Sequence, residues 1–496
     1  MTAGILQLEL YGAQDIYLTG NPQITFFKSV YKRYTNFSIE SIQHNFNKVP
    51  TFGDKVTVKI PKNGDMLYNM EIQVTIPEVS VSGSEQYRWL NWLGHILIEY
   101  VTINIGPSEI DRQYGAWMHI WNELTRTSGH QSGYANLVGN VPKLVQSSSG
   151  AVPSVVLYIP LQFWFCKNPG LALPLVALQH HDVNITVKFN DKANCYWQSS
   201  SGRTPGDFSS AYLFVDYIHL GAKERRKFAQ TNLEYLIEQV QVKRNHNIPQ
   251  NTTSDNIKLS NFNHPVKELV WVVQKDNIIS ASDMTNYGGQ QWFNFTDAID
   301  KTYFSGTPQD PLGGGIGTAA FNVGNFHNSL PMTGFANSNG TVSAGVSSNV
   351  GVNIGALTFN DLFGDPDSFT PSNARGWTAD IDVFDSGENC ISTAKIQLNG
   401  QDRTQLREGR YFNLLQPLKH HTNTPATGIN MYSFSLKPEE HQPSGTCNFT
   451  ELDSATLVLN LTTNSTSDST AKAHIYATNY NILKITNGMA GLAYAI

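Results

Sequence analysis

Ionised side chains are scarce in this chain. Asp, Glu, Lys and Arg make up 15% of its 496 residues, against about 25% in an average globular protein, and Asn, Ser, Thr, Gly and Gln fill the gap. The charge that remains is slightly acidic, 34 basic against 40 acidic residues for a net of -6. No chain-wide basic field exists to hold DNA or RNA by counterion release, so direct nucleic-acid binding is disfavoured. The four cysteines, Cys166, Cys195, Cys390 and Cys447, are widely spaced and form no C-x-x-C, which argues against a disulfide framework or structural zinc; reduced thiols are expected. No apolar run approaches 18 residues. The best, Pro153 to Phe165, holds two prolines and Gln162, so a membrane-spanning helix is not expected. The first basic residue is Lys28, and Glu9 and Asp15 interrupt the opening stretch, which is not the pattern of a secretory signal. A soluble chain kept in the cytosol is the expectation. Nucleophile-elbow, zincin and P-loop motifs are missing too.

What is present is a large apolar inventory cut into short pieces. The hydrophobic fraction of 40%, with 39 glycines beside it, is enough for a real core, and the length suits two large or three ordinary domains. Asn21 as N-cap and Pro22 at the first helical position predict a short helix. Ile24, Phe27, Val30, Tyr31 and Tyr34 would form its apolar stripe, with Lys28, Lys32 and Arg33 opposite. From Phe37 the hydrophobic period changes to two. Strands are predicted at 37–46, 55–60, 66–76, 96–105, 155–161, 171–178, 183–189 and 211–220, interrupted by a helix over Asp111 to Leu124 whose Tyr114, Trp117, Met118 and Trp121 form a core stripe. A charged stretch from Gly221, holding Lys223, Arg225, Arg226 and Lys227, reads as a solvated linker helix. Thr231-x-x-Glu234 after it matches a capping box. Eight more strands follow at 236–243, 256–260, 266–275, 391–398, 429–436, 446–449, 455–461 and 473–485.

The two sets of strands resemble each other. Ile98, Ile103 and Ile105 lead into a Gly-containing turn and an aromatic-rich segment, as Ile391, Ile396 and Leu398 do 293 residues on; Tyr158 answers Tyr432, and Val183 answers Thr456. An ordered, slowly drifting offset suggests one duplicated β-domain. The division that follows is an arm with its helix at 1–36, a first β-domain at 37–220, a linker at 221–235, a second β-domain at 236–486 and a tail at 487–496. An insertion at about 276–389 interrupts the second domain. Within it, 311–360 has no ionised side chain, and Phe321, Phe326, Phe335 and Leu357 are spaced along it. Ordered rim loops that bury these residues against a neighbouring copy are expected.

Few residues suggest chemistry. Gly315-x-Gly317-x-x-Ala320 fits a dinucleotide fingerprint only formally, without the flanking strand, helix and acid. His180-His181-Asp182 and His420-His421 would be poor chelators, because neighbours on a strand face opposite ways. Glu439-Glu440-His441 lies in a turn-rich loop and reads as a loop held by its own hydrogen bonds, since acid–base work needs opposed groups across a pocket. No catalytic, cofactor or metal residue is therefore assigned. Eight N-glycosylation sequons occur, but several fall within predicted strands.

The segment Tyr11-Gly-Ala-Gln-Asp-Ile-Tyr-Leu-Thr-Gly-Asn-Pro-Gln-Ile-Thr-Phe-Phe-Lys28, continuing through Tyr34-Thr-Asn-Phe37, resembles the amino-terminal signature of the major capsid proteins of nucleocytoplasmic large DNA viruses. The resemblance returns at Glu234 to Gln239, at Leu398-Asn-Gly400 with Arg407-Glu-Gly-Arg-Tyr-Phe412, and at Leu436-Lys-Pro-Glu-Glu-His-Gln-Pro-Ser-Gly-Thr-Cys-Asn-Phe449. It is found again from Asn481 to Ile485 and from Gly491 to Tyr494. The chain departs from the family pattern at Thr450-Glu-Leu-Asp453, where relatives carry Ser-Arg-Ile-Asp. The resemblance implies an all-β double jelly roll, two eight-stranded antiparallel sandwiches per chain. It further implies homotrimeric capsomers tiling the icosahedral shell of a virion, synthesis in host cytoplasm, and no enzymatic role. Its partners would be neighbouring capsomers and minor capsid and penton proteins, with the internal viral membrane reached through the arm. A glycan-binding or glycan-cleaving β-sandwich is the rival reading, which a secretory signal and an opposed carboxylate pair would favour.

Overall fold

The computed structural model describes residues 3–80, 87–145, 150–198, 204–280, 290–298, 334–336, 342–344 and 387–494. Between Phe37 and Leu220, beside a small ribbon that pairs Tyr87–Trp89 with Tyr196–Gln198, lie the eight strands of the first sandwich: β1 (Phe37–His44), β2 (Lys55–Ile60), β3 (Met66–Ile76), β4 (Ile98–Ile105), β5 (Ser108–Tyr114), β6 (Val155–Pro160), β7 (Val183–Phe189) and β8 (Ser210–Leu220). They make two antiparallel sheets, ordered β1-β8-β3-β6 and β2-β7-β4-β5, the alternating order of a jelly roll. The inner faces alternate as a half-buried sheet demands. In β7, Val183, Ile185, Val187 and Phe189 are buried while the residues between them are half-exposed.

The second sandwich repeats the pattern with β9 (Leu233–Ile248), β10 (Ser254–Lys258), β11 (Pro265–Lys275), β12 (Ile391–Leu398), β13 (Asn430–Ser433), β14 (Ala455–Leu461), β15 (Ala471–Thr486) and β16 (Met489–Leu492). One sheet runs β9-β15-β11-β13, with β16 added to β15. The other runs β10-β14-β12, and the short pieces 401–402 and 407–408 flank β12. Apart from β16, the short pair Cys447–Asn448 added to β11 and the short pieces that stand in the place of β5, this is the order of the first sandwich. The repeats visible in the sequence fall on equivalent strands: Ile98 and Ile391 open β4 and β12, Tyr158 and Tyr432 lie in β6 and β13, and Val183 and Thr456 in β7 and β14. Asn399 and Gly400, at φ 51° and 77°, close a two-residue hairpin after β12, and Asn487 and Gly488, at 50° and 77°, do so between β15 and β16. Two successive left-handed residues make the turn whose twist matches the flanking strands, which is why Asn-Gly stands there.

Several elements differ from the sequence expectation. Residues 171–178 form no strand; short 3-10 turns at Pro169–Leu171 and Leu175–Ala177 replace it, since Pro169 and Pro174 withhold backbone donors from a ladder. The eighth strand is instead β5, and the helix expected from Asp111 starts at Gly115. The capping-box pattern at Thr231 to Glu234 leads into β9, where Glu234 pairs with Lys484 across the ladder at 3.0 Å. The helix expected after Asn21 is not formed. The arm has helical turns at Ala3–Glu9 and Ile16–Thr19, Asn21 sits at φ 50°, and 22–36 is extended or turning. An isolated helix this short is marginal, and the stripe that should pay its cost is left largely uncovered among the described residues: Ile24, Phe27 and Tyr31 are exposed. Of the insertion, 311–360 lies outside the described residues except for a two-stranded ribbon pairing 334–336 with 342–344.

Each sandwich has its own apolar core, and a third cluster joins them. Its centre is helix α1 (Gly115–Thr125) of the first sandwich. Met118 points into the first core, whereas Trp117, Ile120, Trp121 and Leu124 lie on the second sandwich. The receiving strand β11 is buried on both sides: Leu269, Trp271 and Val273 enter the second core and Val270 and Val272 meet the helix. A strand covered on both faces has to read as a continuous apolar run, as Leu269 to Val273 does.

Candidate functional site: the joint between the sandwiches and the arm

The apolar run of β11 is preceded by two charged residues, Lys267 and Glu268, both fully buried. Burying a charge is tolerable only with partners, and both have them. Lys267 Nζ donates to Glu238 Oε1 on β9 at 2.7 Å and to the Pro438 carbonyl at 2.6 Å. The other oxygen of Glu238 takes Lys167 Nζ of the first sandwich at 3.2 Å, and Lys167 lies 3.9 Å over the ring of Trp121. Burial pushes the Glu238 carboxyl up, but the two ammonium groups override it and hold it below its ordinary range.

Glu268 belongs to a second row. Its Oε2 lies 2.8 Å from His421 Nε2, and His421 Nδ1 lies 2.9 Å from Glu439 Oε1. Ionised carboxylates only accept, so both ring nitrogens donate and the ring is an imidazolium. Burial alone would push His421 down; Glu268 and Glu439 outweigh it and raise it to about 9. Thr478 Oγ1 donates to Glu268 at 3.1 Å and the Thr422 amide to Glu439 at 2.7 Å. Trp121 meets the imidazole edge-on at 6.1 Å. The six charges of the two rows sum to zero. The row holds residue types suited to acid–base catalysis, yet its ring and carboxylates are spent on protein partners, and what the arrangement does is fasten.

Three further contacts tie the sandwiches. Val240 N–H donates to Asp111 Oδ1 at 3.2 Å, Asn423 donates to the Leu124 and Glu123 carbonyls at 3.0 and 2.8 Å, and the β15–β16 turn docks on the first sandwich, His180 N–H meeting Gly488 O at 2.9 Å. Burial raises Asp111 to about 6.

The histidines singled out in the sequence separate, though not by strand alternation, because neither pair is on a strand. His180 and His181 precede β7, and His181 Nδ1 accepts the Ala490 amide at 3.2 Å. His420 ends the helix Gln416–His420 with its ring near Leu436 O, while His421 turns inward. The loop of Glu439 is not held by itself alone: Ser444 Oγ accepts the Lys437 amide at 2.9 Å, but Lys267 and His421 anchor it from outside. The sequence signal for this was the Lys267-Glu268 dyad inside an apolar strand, which periodicity alone passes over. Of the basic linker residues, Arg225 pairs with Asp65 at 2.8 Å. Thr450, where the family pattern has Arg's neighbour Ser, accepts the His264 amide at 2.8 Å. Gly315, Gly317 and Ala320 lie outside the described residues. Among the described residues no group of three His, Cys, Asp or Glu is placed to hold a metal ion. None of the four cysteines is in a disulfide, and burial pushes the thiols of Cys166 and Cys390 up to about 12.

The arm is the opposite kind of surface. Tyr17, Leu18, Phe26, Phe27, Tyr31 and Tyr34 are each at least 82% exposed, and large apolar side chains left in water in such number on one segment mark an interaction surface.

Comparison with known proteins agrees with this architecture. Residues 25–221 match the family described as "Major capsid protein N-terminus" and residues 224–491 the family "Large eukaryotic DNA virus major capsid protein". The chain is 42% identical to the major capsid protein of Phaeocystis pouchetii virus and 40% identical to that of Chrysochromulina ericina virus, over the full length of each pair. Among solved structures it is similar to the subunit of the quasi-atomic PBCV-1 virus capsid, at 31% identity and a TM-score of 0.65, covering 95% of this chain and 100% of that one. Two sandwiches of one strand order, fastened by a buried charged joint and matched along their whole length, place this chain in the family of major capsid proteins of large eukaryotic DNA viruses, the double jelly-roll subunits of their icosahedral shells.

Proposed function

We propose that three copies of the chain close into one capsomer and that the chain has no catalytic role. The observation that carries this is the repeated strand order. Three copies of a fused pair present six similar lobes under three-fold symmetry, and six lobes fill a hexagonal lattice position. A tile must also be stiff, and the third apolar cluster with the two ion rows supplies the stiffness by fixing one sandwich against the other. The arm, residues 1–36, is the assembly contact: its aromatic and aliphatic side chains are covered at the base of the capsomer by minor capsid or penton proteins, or lie against the internal membrane, with Lys28, Lys32 and Arg33 beside acidic or lipid phosphate groups.

Light scattering and electron microscopy of the purified chain test the reading. Three times 55.0 kDa, about 165 kDa, and uniform three-fold particles are expected. A stable monomer at assembly concentrations refutes the trimer. Deleting residues 1–36 should leave the sandwiches folded and block shell assembly; shells formed normally by the deleted chain would refute the role of the arm.

A further inference from the structure

Beside the ion rows the joint contains a pair of histidines that nothing above uses. His95, on the short helix Leu93–Leu97, and His119, on α1, are 1% and 3% exposed, with ring centroids 5.8 Å apart. The rings sit in an aromatic box. Trp92 lies 6.0 Å from His95 and 5.2 Å from His119, and Phe293 stacks on His119 at 4.3 Å. His95 Nε2 meets the Tyr134 hydroxyl at 2.8 Å, but Nδ1 of both histidines has no hydrogen-bond partner. Phe293 belongs to residues 290–298, the start of the second sandwich's insertion. That segment is clamped on the first sandwich by Gln290 Nε2 to Ala193 O at 2.8 Å and Trp292 Nε1 to Asn194 O at 3.1 Å.

We propose that this histidine pair makes the contact between residues 290–298 and the first sandwich an acid-released latch. An imidazolium carries a proton on both nitrogens and needs an acceptor at each, and at Nδ1 of either ring the box offers none. The groups that face the pair make matters worse or stay neutral. Arg126, whose guanidinium lies 4.1 Å over Tyr134, repels a second cation. Glu123, one turn along α1 from His119, is pushed by burial up to about 7 and so loses its charge over the same interval. A cavity of about 420 Å³ borders His95 and Phe293. On its other walls Asp276 is held by Lys472 at 3.0 Å, Arg244 lies over Tyr114, Glu99 is half-exposed, and His474 is neutral. Charging the pair therefore requires Phe293 to leave, and the cavity gives water its way in. Burial holds His95 down at about 3 and His119 well below the ordinary histidine range. With both folded values depressed, the closed contact is fully stable above the ordinary histidine value near 6.5 and loses stability as pH falls below it. Once open, each ring titrates normally, so at pH 5.5 each favours the open form about 10-fold and the pair about 100-fold.

Hydrogen exchange on the full-length chain at pH 7.5 and 5.5, corrected for intrinsic rates, tests this. Protection over 290–298 should fall about 100-fold on acidification. In the double variant His95→Gln, His119→Gln the fall should shrink to within about 2-fold, and each single variant, which serves if the double does not fold, should keep about 10-fold. His474→Asn, on the far wall, should leave the response in place. An acid response under about 3-fold in the parent, an undiminished response in the His95 and His119 variants, or its loss in His474→Asn overturns the latch.

Discussion

The imidazolium of His421 gives the joint a pH dependence that can be calculated. Its side chain is completely buried, as is that of Glu268, so solvent screens the pairing little. The rise from 6.5 to about 9, at about 1.4 kcal/mol per tenfold change in proton affinity, makes the charged ring worth about 3 kcal/mol. The value is raised in the folded state, so this stability is fully present below pH 6.5 and is lost as pH rises through about 9. Replacing His421 with Gln exchanges two opposed ring donors for a single amide group and removes the charge. At pH 7 the urea midpoint of His421→Gln should fall by the equivalent of about 3 kcal/mol, within the range for breaking a buried ion pair. As pH is raised to 10, the parent loses the same charge and the gap should close to within about 1 kcal/mol. Other titrating groups are common to both proteins and cancel in the difference. A gap that stays constant from pH 7 to 10 would refute the argument, because it would mean that His421 contributes by packing and not as a cation.

Trp121→Ala should cost about 3–5 kcal/mol, the usual range for emptying a buried tryptophan site, and should expose the joint to limited proteolysis before either core; resistance equal to the parent's would contradict the bracing role. Asp111→Asn should stabilise the chain by up to about 3 kcal/mol at pH 8, because the folded value is raised to about 6 by burial, and the gain should shrink to under about 1 kcal/mol by pH 4 as the native carboxyl protonates; calorimetry at the two pH values checks the sign. Gly488→Val should lower the melting temperature by an amount equivalent to about 1–3 kcal/mol, since Gly488 is at φ 77° and a Cβ there would lie 2.9 Å from the His180 ring; a variant as stable as the parent would show that the β15–β16 turn does not need its tight dock.

What the sequence determined by itself was everything that repeats locally. The period of two located β2, β3 and β7 at their observed bounds, because each is buried on one face and a slip of one residue would turn every apolar side chain to water. The internal offsets exposed the duplication for the same reason, since equivalent strands answer the same burial pattern. Tertiary structure decided where one pattern serves two masters. Residues 108–114 became an edge strand and α1 began later than its stripe suggested, because Trp117 and Trp121 answer to the second sandwich and Met118 to the first. Lys267, Glu268 and His421 are buried ions only because partners 29, 153 and 171 residues away, Glu238, His421 and Pro438, converge on them, and no local spacing encodes such convergence. The arm failed as a helix by the same logic reversed: its stripe was legible, but an apolar face orders a helix only when something covers it, and among the described residues Ile24, Phe27 and Tyr31 stay exposed.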